Sequence, residues 1–208
     1  MDPNPRQLTW IMVHNTMYIT LYDKNHALVS GDVDGIQIIN LKTLKPGRKI
    51  KVEGNCRGIT SVKDNVWIKN KSNTLITIAI MGKVLKKVQT TFDPWDISAN
   101  KYGDIYCTDR DNDRIFVVTS DGKEREIYSS PDLKEPNGVT VDDRGDVYVA
   151  GYASNNILKI YKNGQKIDIV LTADDGINGP SGLSFNYETR ELLVINNYFD
   201  SVNIYKVQ

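Results

Sequence analysis

The stretch Pro136–Leu171, PNGVTVDDRGDVYVAGYASNNILKIYKNGQKIDIVL, contains the repeating unit that decides the fold. Its candidate strands are residues 138–141, 146–150, 157–161 and 166–171. These runs are rich in β-branched and aromatic residues and partly alternate with polar ones, which favours a pleated strand over a helix. The segments DDRG and KNGQ between them are tight-turn sequences, since Gly and Asn adopt positive φ at little cost. The stretch therefore predicts one four-stranded antiparallel meander.

The same unit recurs along the chain. The first strands of successive units are marked by Ile19, Ile59, Ile97, Val139 and Leu183, which are 40, 38, 42 and 44 residues apart. Four-stranded units at this spacing are typical of β-propeller blades. Because such a sheet cannot bury both of its faces alone, stacked neighbours must supply the core. We therefore expect a single all-β domain over residues 1–208, a propeller of five four-stranded units without helices of useful length.

The two ends of the chain raise the question of ring closure. Residues 1–7 are a polar lead-in, and residues 8–13, LTWIMV, form a candidate strand before the first unit. The last unit has candidate strands at 183–185, 191–195 and 201–205 and no fourth strand. Pairing residues 8–13 with this unit would close the ring and remove two exposed sheet edges. The alternative is that residues 8–13 end a blade lying outside this chain.

The charges are balanced overall and asymmetric along the chain. The 26 Lys and Arg residues equal the 26 Asp and Glu residues, which gives no general argument for a nucleic-acid or membrane partner. Residues 1–92 nevertheless carry a net charge of +8 and residues 93–208 a net charge of −8. In a ring, one side would be basic and the opposite side acidic. The alternative is a chance bias of solvated surface.

Cysteine usage and hydropathy indicate a cytoplasmic protein without a membrane partner. Cys56 and Cys107 lie in different units, and two cysteines are too few for a disulfide framework or a structural zinc site, so buried thiols are expected. The N-terminal sequence MDPNPRQLTW lacks the pattern of a signal peptide. No apolar segment approaches the length that spans a bilayer.

Two repeat cores show a family resemblance. The sequences GDIYCTDRDNDRIFVVTSDGK at 103–123 and GDVYVAGYASNNILKIYKNGQ at 145–165 share Gly-Asp, a strand ending in Tyr-Cys or Tyr-Val, a polar loop with Asn, a further strand, and Asp-Gly or Asn-Gly. This pattern resembles the NHL repeat. From GRKIKVEGNCRGIT at 47–60 onward, the chain is similar to the C-terminal propellers of invertebrate, especially molluscan, tripartite-motif (TRIM)-like proteins. The similarity extends over nearly the whole chain.

The resemblance implies an NHL-like propeller that binds proteins or RNA. Such propellers usually have six blades, whereas this chain has five units. Relatives that carry RING, B-box and coiled-coil segments are ubiquitin ligases, but this chain has no Cys/His cluster able to hold the zinc of a RING or B-box. We therefore expect an interaction module without ligase activity.

Two stretches resemble known metal-binding sites. Residues 109–113, DRDND, imitate the start of a calcium loop, but Arg114 and Ser120 occupy the positions that need Gly and Glu, so a wide loop is the better interpretation. Asn137-Gly138 resembles the mouth of gluconolactonase and senescence-marker propellers, where an Asn helps to hold a divalent ion together with carboxylates from other blades. Since the equivalent positions here carry no carboxylate, a metal-dependent lactonase is only an alternative function.

Nucleophilic catalysis finds no support in the sequence. There is no Gly-x-Ser-x-Gly elbow, and His14 and His26 lie near turns without an obvious nucleophile partner. We therefore expect no catalytic residue, no bound metal and no cofactor.

Binding of a protein partner is the predicted function. In a propeller, the loops that enter each first strand and those between the second and third strands open on one face. The residues predicted for this face are Arg57, Trp95, Asn137, Ser181, Arg110, Asp111, Tyr152, Asn155, Tyr198 and Phe199. Exposed Trp, Tyr and Arg are favoured anchors of interfaces. The alternative for Trp95 and for Phe199 is packing between blades.

RNA is the alternative partner. It would need basic residues interleaved with aromatic ones on the same face. Arg57, Lys69 and Lys71 provide basic residues in the second unit, while the third unit is acidic.

Overall fold

The computed structural model describes residues 16–31, 35–162, 164 and 166–207. The predicted lead-in at 1–7, the predicted closing strand at 8–13 and His14 lie outside the described residues.

The described residues form nineteen strands in five antiparallel sheets. Blade 1 contains β1 (Thr16–Asp23), β2 (His26–Gly31), β3 (Gly35–Asn40) and β4 (Lys45–Ile50). Blade 2 contains β5 (Arg57–Val62), β6 (Asn65–Lys69), β7 (Thr74–Ala79) and β8 (Val84–Gln89). Blade 3 contains β9 (Ile97–Ala99), β10 (Ile105–Asp109), β11 (Arg114–Val118) and β12 (Glu124–Ser129). Blade 4 contains β13 (Pro136–Val141), β14 (Val147–Gly151), β15 (Asn156–Ile160) and β16 (Ile167–Leu171). Blade 5 contains β17 (Leu183–Asn186), β18 (Glu191–Asn196) and β19 (Ser201–Lys206).

These sheets are the blades of a five-bladed β-propeller, which confirms the predicted fold class. Each sheet pairs its strands in chain order, and within the described residues the fifth sheet has three strands. Helical structure among the described residues is limited to single 3-10 turns at Arg110–Asn112 and Ala173–Asp175. No helix in this part of the chain is long and apolar enough to cross a membrane.

The first strand of each blade is the innermost one. Strands β1, β5, β9, β13 and β17 contact one another in succession. The fourth strands lie outside, as the mostly exposed side chains of β4 and β8 show. This arrangement directs the connections of every blade alternately to the two ends of the propeller.

Within the described residues the core consists of four apolar layers, one between each pair of successive blades. Their buried members include Leu28 and Ile59 between blades 1 and 2, Leu75 and Ile105 between blades 2 and 3, Ile115 and Val139 between blades 3 and 4, and Tyr148 and Leu192 between blades 4 and 5. Cys56 and Cys107 are free thiols buried in the first and second layers, as the sequence indicates.

Most strand boundaries lie within two residues of the sequence pattern, and the largest shift is in blade 1. The sequence predicts the fourth strand of the first unit at 48–52, whereas β4 runs over Lys45–Ile50 and includes Pro46 and Gly47. Proline is compatible with an edge strand, because the side without a hydrogen-bonding neighbour needs no donor. The pairing of β3 with β4 also shifts register between Gln37 and Ile39.

Candidate functional site

One end of the propeller collects the loops that the sequence assigns to binding. We call this end the loop face; it comprises residues 51–56, 70–73, 90–96, 110–113, 130–135, 152–155, 172–182 and 197–200. Eight of the ten predicted residues lie in these loops of blades 3 to 5, among them Trp95, Arg110, Asp111, Tyr152, Tyr198 and Phe199. Asn155 and Ser181 lie in the same loops, while Asn137 and Arg57 belong to the strands β13 and β5.

Trp95 and Arg110 join blades 3 and 4 at this face. The indole Nε1 of Trp95 donates a hydrogen bond to Oδ1 of Asn137 at 2.6 Å. The guanidinium of Arg110 lies over the Trp95 ring, 4.7 Å from its centroid, and its Nη2 donates to Oε2 of Glu135 at 2.6 Å. A guanidinium above an indole ring is stabilised by the ring quadrupole. Trp95 therefore bridges two blades and supports an arginine above it.

Arg110 also contacts Tyr152 of blade 4, which in turn contacts Tyr198 of blade 5. Its guanidinium carbon lies 5.6 Å from the centroid of the Tyr152 ring, and Tyr152 meets Tyr198 edge to face with centroids 5.6 Å apart. Trp95, Arg110, Tyr152 and Tyr198 thus form a continuous line across three blades, which we call the aromatic row. Phe199 follows its last member and is 67% exposed, so it does not pack between blades.

Backbone geometry fixes the outer end of the aromatic row. A Cβ on Gly179 would lie 2.7 Å from the Tyr198 ring, so the ring packs directly on the Gly179 backbone. The Gly179 N–H donates to Oδ1 of Asn155 at 2.7 Å. Asn197, Tyr198 and Phe199 all have positive φ, at 48°, 54° and 75°. Successive non-glycine residues in this region are strained, and such strain clusters at functional loops.

The other predicted residues have different surroundings. Ser181 and Asn137 are buried, so they support the face from below and cannot form a contact surface. Arg57 lies at the start of β5 in blade 2, one blade away from the row. The row therefore brings together Trp95, Arg110, Tyr152 and Tyr198, with Asp111 and Phe199 beside them.

A groove beside the row contains residues that the sequence did not single out. Its volume is about 560 Å³, and it is lined by Arg110, Asp111, Asp113, Lys134, Glu135 and Ala153. Desolvation opposes ionisation of Asp113, but Lys134 at 2.8 Å and the N–H of Glu135 outweigh it and lower the pKa of this carboxyl. Lys134 and Glu135 lie in the loop that enters the first strand of blade 4, as Trp95 lies in the loop that enters the first strand of blade 3. The criterion that selected Trp95 from the sequence therefore applies to them as well.

Asp96 is a second residue that the sequence analysis missed. Glycines Gly58, Gly138 and Gly182 take the equivalent place in blades 2, 4 and 5. The Asp96 carboxylate accepts hydrogen bonds from the N–H of Ile97 at 2.8 Å and from the N–H of Val139 in the next blade at 3.0 Å. Burial raises the pKa of Asp96 to about 7, while these two hydrogen bonds oppose the rise.

The calcium-like stretch is a braced turn. Asp109 is buried, and its Oδ2 accepts a hydrogen bond from Nη2 of Arg114 at 2.7 Å while Oδ1 accepts one from Asn112 at 2.9 Å. The described residues include no group of three or more His, Cys, Asp or Glu side chains placed to hold a metal ion. His26 contacts Asp23 at 3.0 Å within its own turn.

Comparisons with known proteins agree with the geometry at the level of fold. A family model described as a β-propeller repeat (SBBP) matches residues 128–159. A comparison with curated proteins finds no significant match.

Several solved structures are similar over most of the chain. Virginiamycin B lyase from Staphylococcus aureus is 22% identical with a TM-score of 0.66, over 93% of this chain and 70% of that one. A chain of a nidogen–laminin complex is 20% identical with a TM-score of 0.76, over 87% of this chain and 73% of that one. Luciferin-regenerating enzyme is 16% identical with a TM-score of 0.68, over 89% and 71%. At these identities the likeness shows the propeller fold alone.

Proposed function

We propose that this propeller is a non-catalytic interaction module that binds a protein partner through its loop face, as the TRIM-like proteins that its repeats resemble do. The observation that carries the proposal is the aromatic row, which crosses three blades and ends at the exposed Tyr198, with the exposed Phe199 next to it. Tyr198 is 56% exposed and Phe199 is 67% exposed.

The aromatic row has the chemistry of an interface anchor. Aromatic and arginine side chains are enriched among the residues that contribute most to protein–protein binding, because they bury a large area. The ring of Tyr198 is already held by Gly179 and Tyr152 before any partner arrives. A pre-ordered side chain loses less conformational entropy on binding, which raises affinity.

The test compares matched tyrosines on the two ends of the propeller. Tyr198 on the loop face is 56% exposed, and Tyr102, in the turn between β9 and β10 at the opposite end, is 58% exposed. Wild type and the variants Tyr198→Ala, Phe199→Ala and Tyr102→Ala would be immobilised, and the proteins captured from an extract of the source organism quantified by mass spectrometry. Thermal melts would verify that each variant is folded.

We expect Tyr198→Ala and Phe199→Ala to lose the captured partner while Tyr102→Ala retains it. Equal capture by all four proteins would overturn the proposal, as would a loss confined to Tyr102→Ala. Hydrolysis of gluconolactone that is stimulated by added calcium would contradict the non-catalytic assignment.

A further inference from the structure

Acidic residues are concentrated on the loop face in blades 3 to 5. Apart from the half-buried Asp96, the loops 90–96, 110–113, 130–135, 152–155, 172–182 and 197–200 contain eight acidic and two basic side chains, a formal net charge of −6. These are the loops that carry the aromatic row. The surface around the row is therefore strongly negative.

The opposite end of the same three blades is neutral. The connections from β9 to β10, β11 to β12, β13 to β14, β15 to β16 and β17 to β18 contain six acidic and six basic residues. The negative charge of the C-terminal half of the sequence is thus concentrated around the aromatic row and is not a general property of this part of the surface.

Several of these carboxylates are available to a ligand. Asp111, Asp174 and Asp200 are exposed, and among the described residues their carboxylates have no ion pair and accept no hydrogen bond. Asp111 follows Arg110 of the row, and Asp200 follows Phe199. By contrast, Asp113 and Glu135 are paired with Lys134 and Arg110. Two of the unpaired carboxylates therefore adjoin the row in the sequence, Asp111 beside Arg110 and Asp200 near Tyr198.

We infer that the occupant of the loop face is a lysine- or arginine-rich segment of a partner protein, an inference that rests on the proposed function. Aromatic ring faces attract ammonium and guanidinium groups and pack against the aliphatic stems of Lys and Arg. The surrounding carboxylates provide the complementary charge, which selects the partner and speeds its association. The exposed rings of Tyr198 and Phe199 supply the apolar contact and Asp111 and Asp200 the charge.

The same charges disfavour RNA on this face. RNA-binding surfaces neutralise phosphates with Lys and Arg, and their affinity depends on that neutralisation. A surface with a formal charge of −6 would instead repel the phosphate backbone. The experiment therefore includes RNA binding as a result that would contradict the inference.

The experiment begins with a random peptide library displayed on phage and selected against the full chain. We expect the recovered peptides to be enriched in Lys and Arg relative to the unselected library. The dissociation constant of the tightest-binding synthetic peptide would then be measured with wild type, with the double variant Asp111→Lys/Asp200→Lys, and with Phe199→Ala. The matched control is Asp64→Lys/Glu188→Lys, which reverses two exposed carboxylates at the opposite end.

Reversal at the loop face should weaken peptide binding about tenfold, because two attractions become two repulsions, and the control should change it less than about twofold. If Phe199→Ala weakened peptide binding and Asp111→Lys/Asp200→Lys did not, the loop face would still be the docking site. The inference that its partner is basic would be overturned. No effect of either would overturn both proposals. Selected peptides without Lys/Arg enrichment, or binding of poly(U) RNA by the wild type, would also overturn the inference.

Discussion

At the residue scale, the carboxyl of Asp96 makes the stability of the inner strands depend on pH. Its carboxylate takes a place that glycine occupies in three other blades, and it receives an N–H from the neighbouring blade, at Val139. Burial raises the pKa of Asp96 from its ordinary value to about 7. A folded-state pKa above the unfolded value means that the folded chain holds the proton more tightly.

This gives a pH dependence with a defined sign. The stabilising contribution of Asp96 is fully present below the ordinary carboxyl pKa and is lost as the pH rises through about 7. We expect the free energy of unfolding of the wild type to fall between pH 5 and pH 8, by on the order of 1 kcal/mol after allowance for the partial exposure of Asp96. Asp96→Asn removes the titration, so its stability should be nearly constant over this range.

Urea unfolding at several pH values measures both curves. Asp111→Asn, which removes an exposed carboxylate, serves as the control and should retain the wild-type slope. Parallel curves for the wild type and Asp96→Asn would show that Asp96 does not cause the pH dependence.

At the scale of elements, the innermost strands approach one another so closely that side-chain size is limiting. A Cβ on Gly138 in β13 would lie 2.5 Å from the carbonyl oxygen of Ser181 and 2.8 Å from the nitrogen of Leu183 in the next blade. Backbone atoms cannot move aside as a flexible side chain does. We expect Gly138→Ala to destabilise the protein by about 1–3 kcal/mol, through overpacking at the junction between blades 4 and 5.

Gly47→Ala is the control for this substitution. Gly47 lies in the outer strand β4, and its nearest neighbour to an added Cβ is 3.5 Å away, an ordinary contact. Its change in the free energy of unfolding should stay within about 0.5 kcal/mol in denaturant titrations. Similar losses for the two variants would mean that the close approach of β13 and β17 is not what limits Gly138.

The elements were largely predictable, because each unit repeats the same local signals. The recurrence of the unit marked every inner strand. The rule that loops before first strands and between second and third strands open on one face assigned Trp95, Arg110, Tyr152 and Tyr198 to that face. Strand β4 begins earlier than the sequence predicts. Pro46 and Gly47 have low strand propensity, and they belong to the strand because β4 pairs with β3. Asp96, Glu135 and Gly179 were missed because their roles arise from contacts between blades. Asn137 and Ser181 were assigned to the contact surface although neighbouring blades bury them.

At the scale of the whole molecule, stability resides in the layers between blades. Each apolar layer is shared by two successive sheets, and a blade contacts its immediate neighbours. In such an architecture, the free energy is approximately a sum over units and nearest-neighbour interfaces. A defect in one layer should therefore loosen two blades more than the others.

Leu192→Ala tests this locality. Leu192 is fully buried in the layer between blades 4 and 5, and its truncation should cost about 2–5 kcal/mol by leaving a cavity. We expect hydrogen exchange measured by mass spectrometry to accelerate in β13 to β19 and to remain near wild-type rates in β1 to β8. Val202→Ala, which truncates a 58% exposed side chain in β19 of the same blade, should leave both regions unchanged. A uniform acceleration across all five blades would instead show one cooperative core, in which case changes on the loop face would be felt throughout the ring.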